Sequence, residues 1–531
     1  MYKKLEQRLL RLVRERDRST DLLRGGFVGL EKESLRVSSS GGISQAAHPL
    51  NIGSPLCHSY ITTDYSEALT EFITPPFADR KQPLAFLRDA QKFVYDHLDN
   101  ELLWATSMPC VVEGGERIPL ARYGTSNAGT MKTVYRRGLG HRYGRVMQVI
   151  AGVHFNYSLP ERFWPLFQEQ EGDQRDLQRF ITESYFGMLR NLQRFGWLIP
   201  YLFGASPAVC KSFLGGRATN LKSFDKYTYY YPYATSLRMG DIGYQNSKEQ
   251  GTGIKACYDC LDAYVETLGR ATETACPIYR MIGVKVDGRY EQLNANILQI
   301  ENEYYSTVRP KQIPDGLEKP ILALQRRGVR YVELRSLDVN AFDPLGIDEQ
   351  QIYFLEAFML FCQLLDSPSI NVFEQREIDR NEGASAHRGR DPELFLQRNG
   401  REIRLRDWAL EICESMQAVC EILDQGTGAR TYSRALEQLS ERARYPELTP
   451  SARMLAEMRE NGESFFEFAQ RISHDHQNYF LKQQLSAERQ RVFTEEAERS
   501  WEQQRVIESA DKISFDQFLA DYFSQAVIDT H

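Results

Sequence analysis

The chain has 531 residues, 42% of them hydrophobic, with 65 Lys and Arg against 72 Asp and Glu for a net charge of -7. That is ample apolar material for a large core. The acidic balance excludes a general binder of nucleic acid or anionic membrane, which gains its affinity from basic surface. An anionic substrate must instead be met by local arginines or metal ions.

Taken in order, residues 1–24 place Leu5, Leu9, Leu12 and Val13 at helical spacing among charges. No apolar run with a small-residue cleavage site follows, so secretion is not expected. The stretch 29–37, GLEKESLRV, reads as a strand in which Glu31 and Glu33 share one face. Two like charges aimed one way need a positive partner or solvent. Residues 60–64 lead into a run at 67–74 in which Glu67, Leu69, Glu71 and Ile73 would share a face. Residues 145–159 alternate most clearly: Met147, Val149, Val153 and Phe155 point one way, and Gln148, His154 and Asn156 the other. Residues 240–253 are glycine-rich and read as a mobile lid.

Nine scattered cysteines fit reduced thiols and a cytoplasmic location better than a disulfide framework. Cys257 and Cys260 form a C-x-x-C in an apparent helix running towards Thr267, but no second pair completes a zinc site, and packing is the simpler reading. Residues 329–337 repeat the alternation, with Tyr331, Glu333 and Arg335 opposite Val332 and Leu334. Residues 352–365 are apolar but too short to span a bilayer, and read as a buried helix despite Glu356 and Gln363. Beyond Asn371 charged helices dominate. Thr449-Pro450 opens one, Ser514 with Gln517 forms a capping box for another, and 486–510 is charged enough to be a largely solvated helix. No linker or repeat divides the chain, which reads as one catalytic unit over 1–531, a core at 20–370 with a helical layer at 371–531.

Any one of these strands alone reads equally well as half-buried with a wet face. Together they aim carboxylates and a histidine from distant parts of the sequence at one polar side. If those faces line one cavity, divalent cations relieve the repulsion, and mostly oxygen ligands with one imidazole suit Mg2+ or Mn2+ better than zinc or copper. Such ions commonly carry nucleotide phosphates, which makes ATP the natural co-substrate. Neither G-x-x-x-x-G-K-[ST] nor a strand-to-helix G-x-G-x-x-G is present, so phosphates fall to metal ions and arginines, Arg335 first. A structural salt bridge also fits Arg335.

The stretches GLEKESLRV, ITTDYSEALTEFITP, YGTSNAG, MKTVYRRGL, GVHFNYSLP, FGWLIPYLFGASPA, YATSLRMGDIGY, LQIENEYYSTVRPK and YVELRSLDVNAFDPLGID, in that order over residues 20–370, resemble glutamate–cysteine ligases of the proteobacterial type. The resemblance implies an α+β fold: a curved antiparallel sheet forming a glutamine-synthetase-like funnel, surrounded by helices. It implies ATP-dependent joining of the γ-carboxylate of L-glutamate to the amino group of L-cysteine through γ-glutamyl phosphate. Matched position by position, it implies metal ligands at Glu31, Glu33, Asp64, Glu71, His154 and Glu333, and a phosphate contact at Arg335, with Glu333 and Arg335 at the chemistry. The implied cysteine pocket is Tyr65, Tyr135, Gln148, Arg238, Tyr244 and Tyr305. Position 65 often carries Phe in the family, so Tyr65 bears on acceptor preference. The resemblance also implies restraint by glutathione. A ligase for another amine, a metal-dependent phosphohydrolase and a non-catalytic ligand-binding regulator are the competing readings.

Overall fold

An antiparallel sheet built on one long strand organises the chain. The structure is a computed structural model describing residues 2–14, 22–243, 254–425 and 429–525. Its main sheet has seven strands: β1 (Phe27–Ser38), β2 (Ile61–Thr63), β3 (Leu69–Ile73), β4 (Glu101–Leu103), β5 (Val153–Ser158), β6 (Val308–Lys311) and β7 (Tyr331–Leu337). Their order is β6-β7-β5-β1-β3-β2, with β4 paired to the end of β1, and every pairing is antiparallel. Pro310 lies in β6, at the sheet edge, where its missing N–H costs no ladder bond.

Register sorts the side chains. Glu31 pairs with His154 across β1–β5, Glu33 with Glu71 across β1–β3, and Glu333 with both Asn156 of β5 and Arg309 of β6. Directly opposed residues share a face, so the polar side chains from these strands meet on one side. The other side carries Val28, Leu30, Phe72, Val153, Phe155, Val332 and Leu334, all buried. Each such side chain contributes about 1.5–3 kcal/mol through burial.

Seven helices matter below: α1 (Tyr2–Arg14), α2 (Lys81–Tyr95), α3 (Asn127–Tyr143), α4 (Leu177–Arg194), α5 (Glu349–Leu364), α6 (Ala487–Ala510) and α7 (Phe515–Phe523). α2 packs against β1 and β3, α4 against β6 and β7, and α5 against α4 and α1. The apolar run at 352–365 is the buried α5, opened by a capping box between Asp348 and Gln351. Its Glu356 is held by Arg80 (Nε to Oε2, 2.5 Å) and by the Tyr432 hydroxyl (2.6 Å), so a buried charge is paired rather than orphaned. Leu5, Leu9 and Leu12 of α1 are buried as their spacing predicts. No helix among the described residues is long and apolar enough to cross a membrane.

Several local expectations change. The run 145–159 is not one strand: Met147–Val149 is a 3-10 turn and β5 begins only at Val153. Between them the Ala151 N–H donates to the Ser107 carbonyl (2.9 Å) and the Gly152 N–H to Glu33 Oε2 (2.7 Å), which diverts the chain from the ladder. Glu67 precedes β3 in a turn, and its carboxylate accepts the backbone N–H groups of His48 (3.0 Å) and Arg122 (2.9 Å), away from the face it was expected to share with Glu71. The C-x-x-C lies before a helix: Cys260 is the residue that caps Leu261–Glu273. Thr449 caps Pro450–Asn461 as expected, whereas Ser514 caps α7 by accepting from the Gln517 N–H (3.2 Å) without a reciprocal bond. α6 is less solvated than its charge predicts. Phe493 is fully buried against Phe86 and Phe93, with ring centroids 5.4 and 5.3 Å away, and Ser500 and Gln504 bond Ser54.

Candidate active site

Three adjacent strands, β1, β5 and β7, deliver the centre of the site. His154 Nδ1 lies 3.0 Å from Glu31 Oε2 and 3.5 Å from Glu333 Oε1, and its Nε2 is 4.0 Å from Glu33 Oε1. Asn156 donates to the second oxygen of Glu31 (3.0 Å). One ligand atom from each of Glu31, His154 and Glu333 falls within 4.8 Å of the others, a spacing that suits a shared cation. Arg335 donates to Glu333 Oε1 (2.9 Å), and Lys311 stands 3.6 Å from Oε2, an oxygen that accepts no hydrogen bond.

The protonation of these carboxylates divides sharply. Burial opposes charge on Glu333, but Arg335, Lys311 and His154 outweigh it and hold the carboxyl well below its ordinary range. Burial is the largest influence on Glu31 and opposes its charge, as does Glu333, but the His154 contact and the Lys311 charge together hold it below its ordinary value. Glu33 goes the other way: burial and then Asp64 push it up to about 8, against Arg238 and Arg335. Glu71 also rises well above its ordinary value, under burial and the charges of Glu31, Asp64 and Glu33. Burial and the Arg335 charge hold His154 below its usual value, which favours a neutral imidazole with one ring nitrogen free to act as a ligand. Oxygen donors dominate, one imidazole joins them, and one Glu333 oxygen accepts no hydrogen bond. This donor set fits a hard divalent ion.

The remaining expected residues occupy different places. Asp64 follows β2, near enough to act on Glu33 and Glu71. Arg238 is buried, donates to the Arg335 carbonyl (2.9 Å), and packs so closely on Gly152 that a Cβ there would strike its guanidinium. Gln148 and Tyr305 are joined at 2.8 Å, and a cleft of about 240 Å³ puts Tyr305 and Arg335 in one lining with Tyr304 and Met239. Tyr65 is buried with its hydroxyl unpaired against Gly140 of α3. Tyr135, half-buried on α3, packs against both the main core and a smaller cluster of Met131, Val134, Leu293 and Phe518. Tyr244 and most of the proposed lid lie outside the described residues; only 240–243 of the lid are within them.

Sequence reasoning missed Arg309, Lys311 and Asp338. The R-P-K at 309–311 held a readable signal, since residues two apart on a strand share a face, and both cations act on Glu333. Asp338 left none: it accepts from Ser206 Oγ (2.6 Å), Ser236 Oγ (2.9 Å) and the Ala205 N–H (2.8 Å), and lies 3.9 Å from Arg238 Nη1, a network that only tertiary structure assembles.

Comparison with known proteins places the chain in a family. A family model described as glutamate-cysteine ligase matches residues 10–384. A glutamate–cysteine ligase of Alcanivorax borkumensis is 46% identical over 98% of this chain and 99% of its own length, and one of Azotobacter vinelandii is 47% identical over 94% and 95%. A crystal structure of the Francisella tularensis glutamate–cysteine ligase in complex with AMP superposes with a TM-score of 0.88 at 34% identity, covering 94% of this chain and 97% of that one. A bifunctional glutathione synthetase from Pasteurella multocida, at 21% identity and a TM-score of 0.66 over 87% of this chain and 52% of that one, shares the fold. With the family match spanning most of the chain and relatives matched almost end to end, the chain belongs to the glutamate–cysteine ligase family.

Proposed function

We propose that the chain joins L-glutamate to L-cysteine at the expense of ATP, giving γ-glutamylcysteine, with the polar face of the sheet as the reaction surface. The observation that carries this reading is the Glu31–His154–Glu333 cluster flanked by Arg335 and Lys311, which sets cation-binding oxygens beside phosphate-binding cations. In this reading Glu31, Glu33, Asp64, Glu71, His154 and Glu333 hold Mg2+ or Mn2+. The bound ions would neutralise phosphate charge and draw electrons from the transferring phosphoryl group.

The chain's own groups then have defined tasks. Arg335, fixed by Glu333, offers N–H donors to a phosphoryl oxygen, and its charge is worth most as negative charge moves during transfer. A γ-carboxylate oxygen of glutamate attacks the terminal phosphorus and the bond to the bridging oxygen breaks, leaving ADP. The cysteine amine attacks the acyl carbon, and phosphate leaves as the amide forms. Arg238, Gln148 and Tyr305, with Tyr65, Tyr135 and Tyr244, are assigned to the acceptor. Arg238 would meet its carboxylate, and the Gln148–Tyr305 pair would shape the pocket. Restraint by glutathione, which carries both amino acids, follows naturally from such a site.

Purified protein with Mg-ATP, glutamate and cysteine tests the reading: γ-glutamylcysteine should form with equimolar ADP and phosphate. Phosphate release without amino acids would indicate a phosphohydrolase, and faster turnover with 2-aminobutyrate or alanine a different acceptor. Absence of any product would indicate a binding protein.

A further inference from the structure

A strongly basic cavity lies outside the reaction surface. Arg122, Arg137, Arg145 and Arg289 line a cleft of about 370 Å³ with Thr133 and Glu67. Guanidinium groups brought together repel unless carboxylates balance them, and here the balance is incomplete. Glu67 has both oxygens occupied by backbone N–H groups, and burial raises its pKa towards the neutral form. Arg145 has Glu116 at 3.6 Å, on a side chain 94% exposed. Arg289 reaches Glu291 (3.2 Å), but that carboxylate also bonds His141 (2.8 Å). Arg122 forms no ion pair among the described residues. Arg137 donates one Nη to the Tyr290 carbonyl, while its buried Nε has no acceptor. Burial and then the charge of Arg289 work against its own ionisation. Solvated arginines on an open face would leave neither a buried donor without an acceptor nor mutual repulsion of this kind.

We propose that this cleft is a binding site for a small polyanion bearing phosphate or clustered carboxylate groups, separate from the ATP and amino-acid positions. Planar guanidinium forks match such oxygens bidentately, and an anion would supply the acceptor that Arg137 Nε lacks. The cleft also adjoins Tyr65. A Cβ on Gly140 would touch both the Tyr65 hydroxyl and Arg145 Cγ (3.0 Å for the latter), and the Tyr65 carbonyl accepts from the Ala121 N–H (3.1 Å), beside Arg122. Tyr65 follows Asp64 in the chain, so an anion that draws Arg122 and Arg145 inward presses on the segment carrying an expected metal ligand.

The test is calorimetric titration of metal-free full-length protein with inorganic pyrophosphate and, separately, citrate. At least one probe should bind saturably. Arg289→Glu and Arg137→Gln should each weaken it by about tenfold or more, while Arg335→Gln leaves it within about twofold. Arg289 has a side chain 62% exposed, so its reversal should keep the wild-type melting temperature and serves if Arg137→Gln fails to fold. Binding that survives both cleft variants but disappears with Arg335→Gln would move the anion to the reaction surface and overturn the proposal. So would no saturable binding of either probe up to about 10 mM.

Discussion

Metal binding at this site should expel protons, Glu33 first among their sources. Glu33 is pushed up to about 8 and Glu71 lies well above the carboxylate range, whereas Glu31 and Glu333 lie below it. At pH 7 Glu33 is therefore protonated in about 0.9 of metal-free molecules, and burial with the neighbouring carboxylates shifts Glu71 in the same direction. A carboxylate must be ionised to coordinate, so filling the site with Mg2+ at pH 7 should release close to one proton per chain from Glu33, with any release from Glu71 adding to it. His154, already neutral, contributes none. Between pH 6 and 8 affinity should tighten by about tenfold per pH unit for each proton displaced. Linkage gives the stability sign: a carboxyl whose folded pKa is raised contributes stability that is complete below its unfolded value and is lost as pH rises through the folded one. Metal-free protein thus loses the Glu33 contribution as pH climbs from about 4.5 to about 8, and added Mg2+ should raise the melting temperature more at pH 8 than at pH 6. Proton release can be read with an indicator dye in weak buffer and by calorimetry in two buffers of different ionisation enthalpy. Glu33→Gln should remove close to one of the released protons. Zero release at pH 7, together with Mg2+ affinity that does not change between pH 6 and 8, would refute the reasoning.

Glu333→Gln leaves Arg335 and Lys311 facing a neutral amide. It should abolish turnover, raise the Mg2+ requirement and cost about 1.5–3 kcal/mol in denaturant unfolding while the fold persists; wild-type kinetics would remove Glu333 from the reaction. Arg238→Lys loses the planar fork and should raise KM for cysteine by about tenfold with little change for ATP; a change for ATP alone would reassign Arg238. Phe493→Ala empties the contact between α6 and α2 and should destabilise the chain by about 3–5 kcal/mol. An unchanged denaturation midpoint would mean that α6 is as solvated as its charge suggests.

What could be read from the sequence was whatever period-two alternation encodes. Glu31 with Glu33, His154 with Asn156, and Glu333 with Arg335 fall on common faces because residues two apart on a strand must do so, and the structure brings these strands side by side. Alternation fails where backbone leaves the ladder. The Gly152 N–H bonds a Glu33 carboxylate, so residues 147–149 turn where a strand was expected. Glu67 has the spacing of a face partner to Glu71 but serves two backbone N–H groups in a turn. Charge misled on α6, since its few buried positions, Phe493, Glu496, Ala497, Ser500 and Gln504, carry the packing while most of the charged ones face water. The Asp338 network joins segments more than a hundred residues apart, and no local pattern announces it.

The sign of charge on the reaction surface changes from one side of the sheet to the other, and that division orders the ligands. Glu31 of β1 and Asp64 form the anionic side, which Glu33 of β1 and Glu71 of β3 join once they ionise; Arg309, Lys311 and Arg335 surround Glu333 on the cationic side. A polyphosphate is drawn to the cations and repelled by the carboxylates, and divalent ions behave oppositely. Glu31, His154 and Glu333 stand on three neighbouring strands where the two sides meet, so an ion held there touches both. Glutamate adds another carboxylate to the anionic side, and that approach is uphill while Glu31 and Asp64 remain uncompensated. If the proposed ligands hold the metal, its occupancy should precede productive glutamate binding, and glutamate affinity measured without divalent ions should be weak even where nucleotide binding persists on the cationic side.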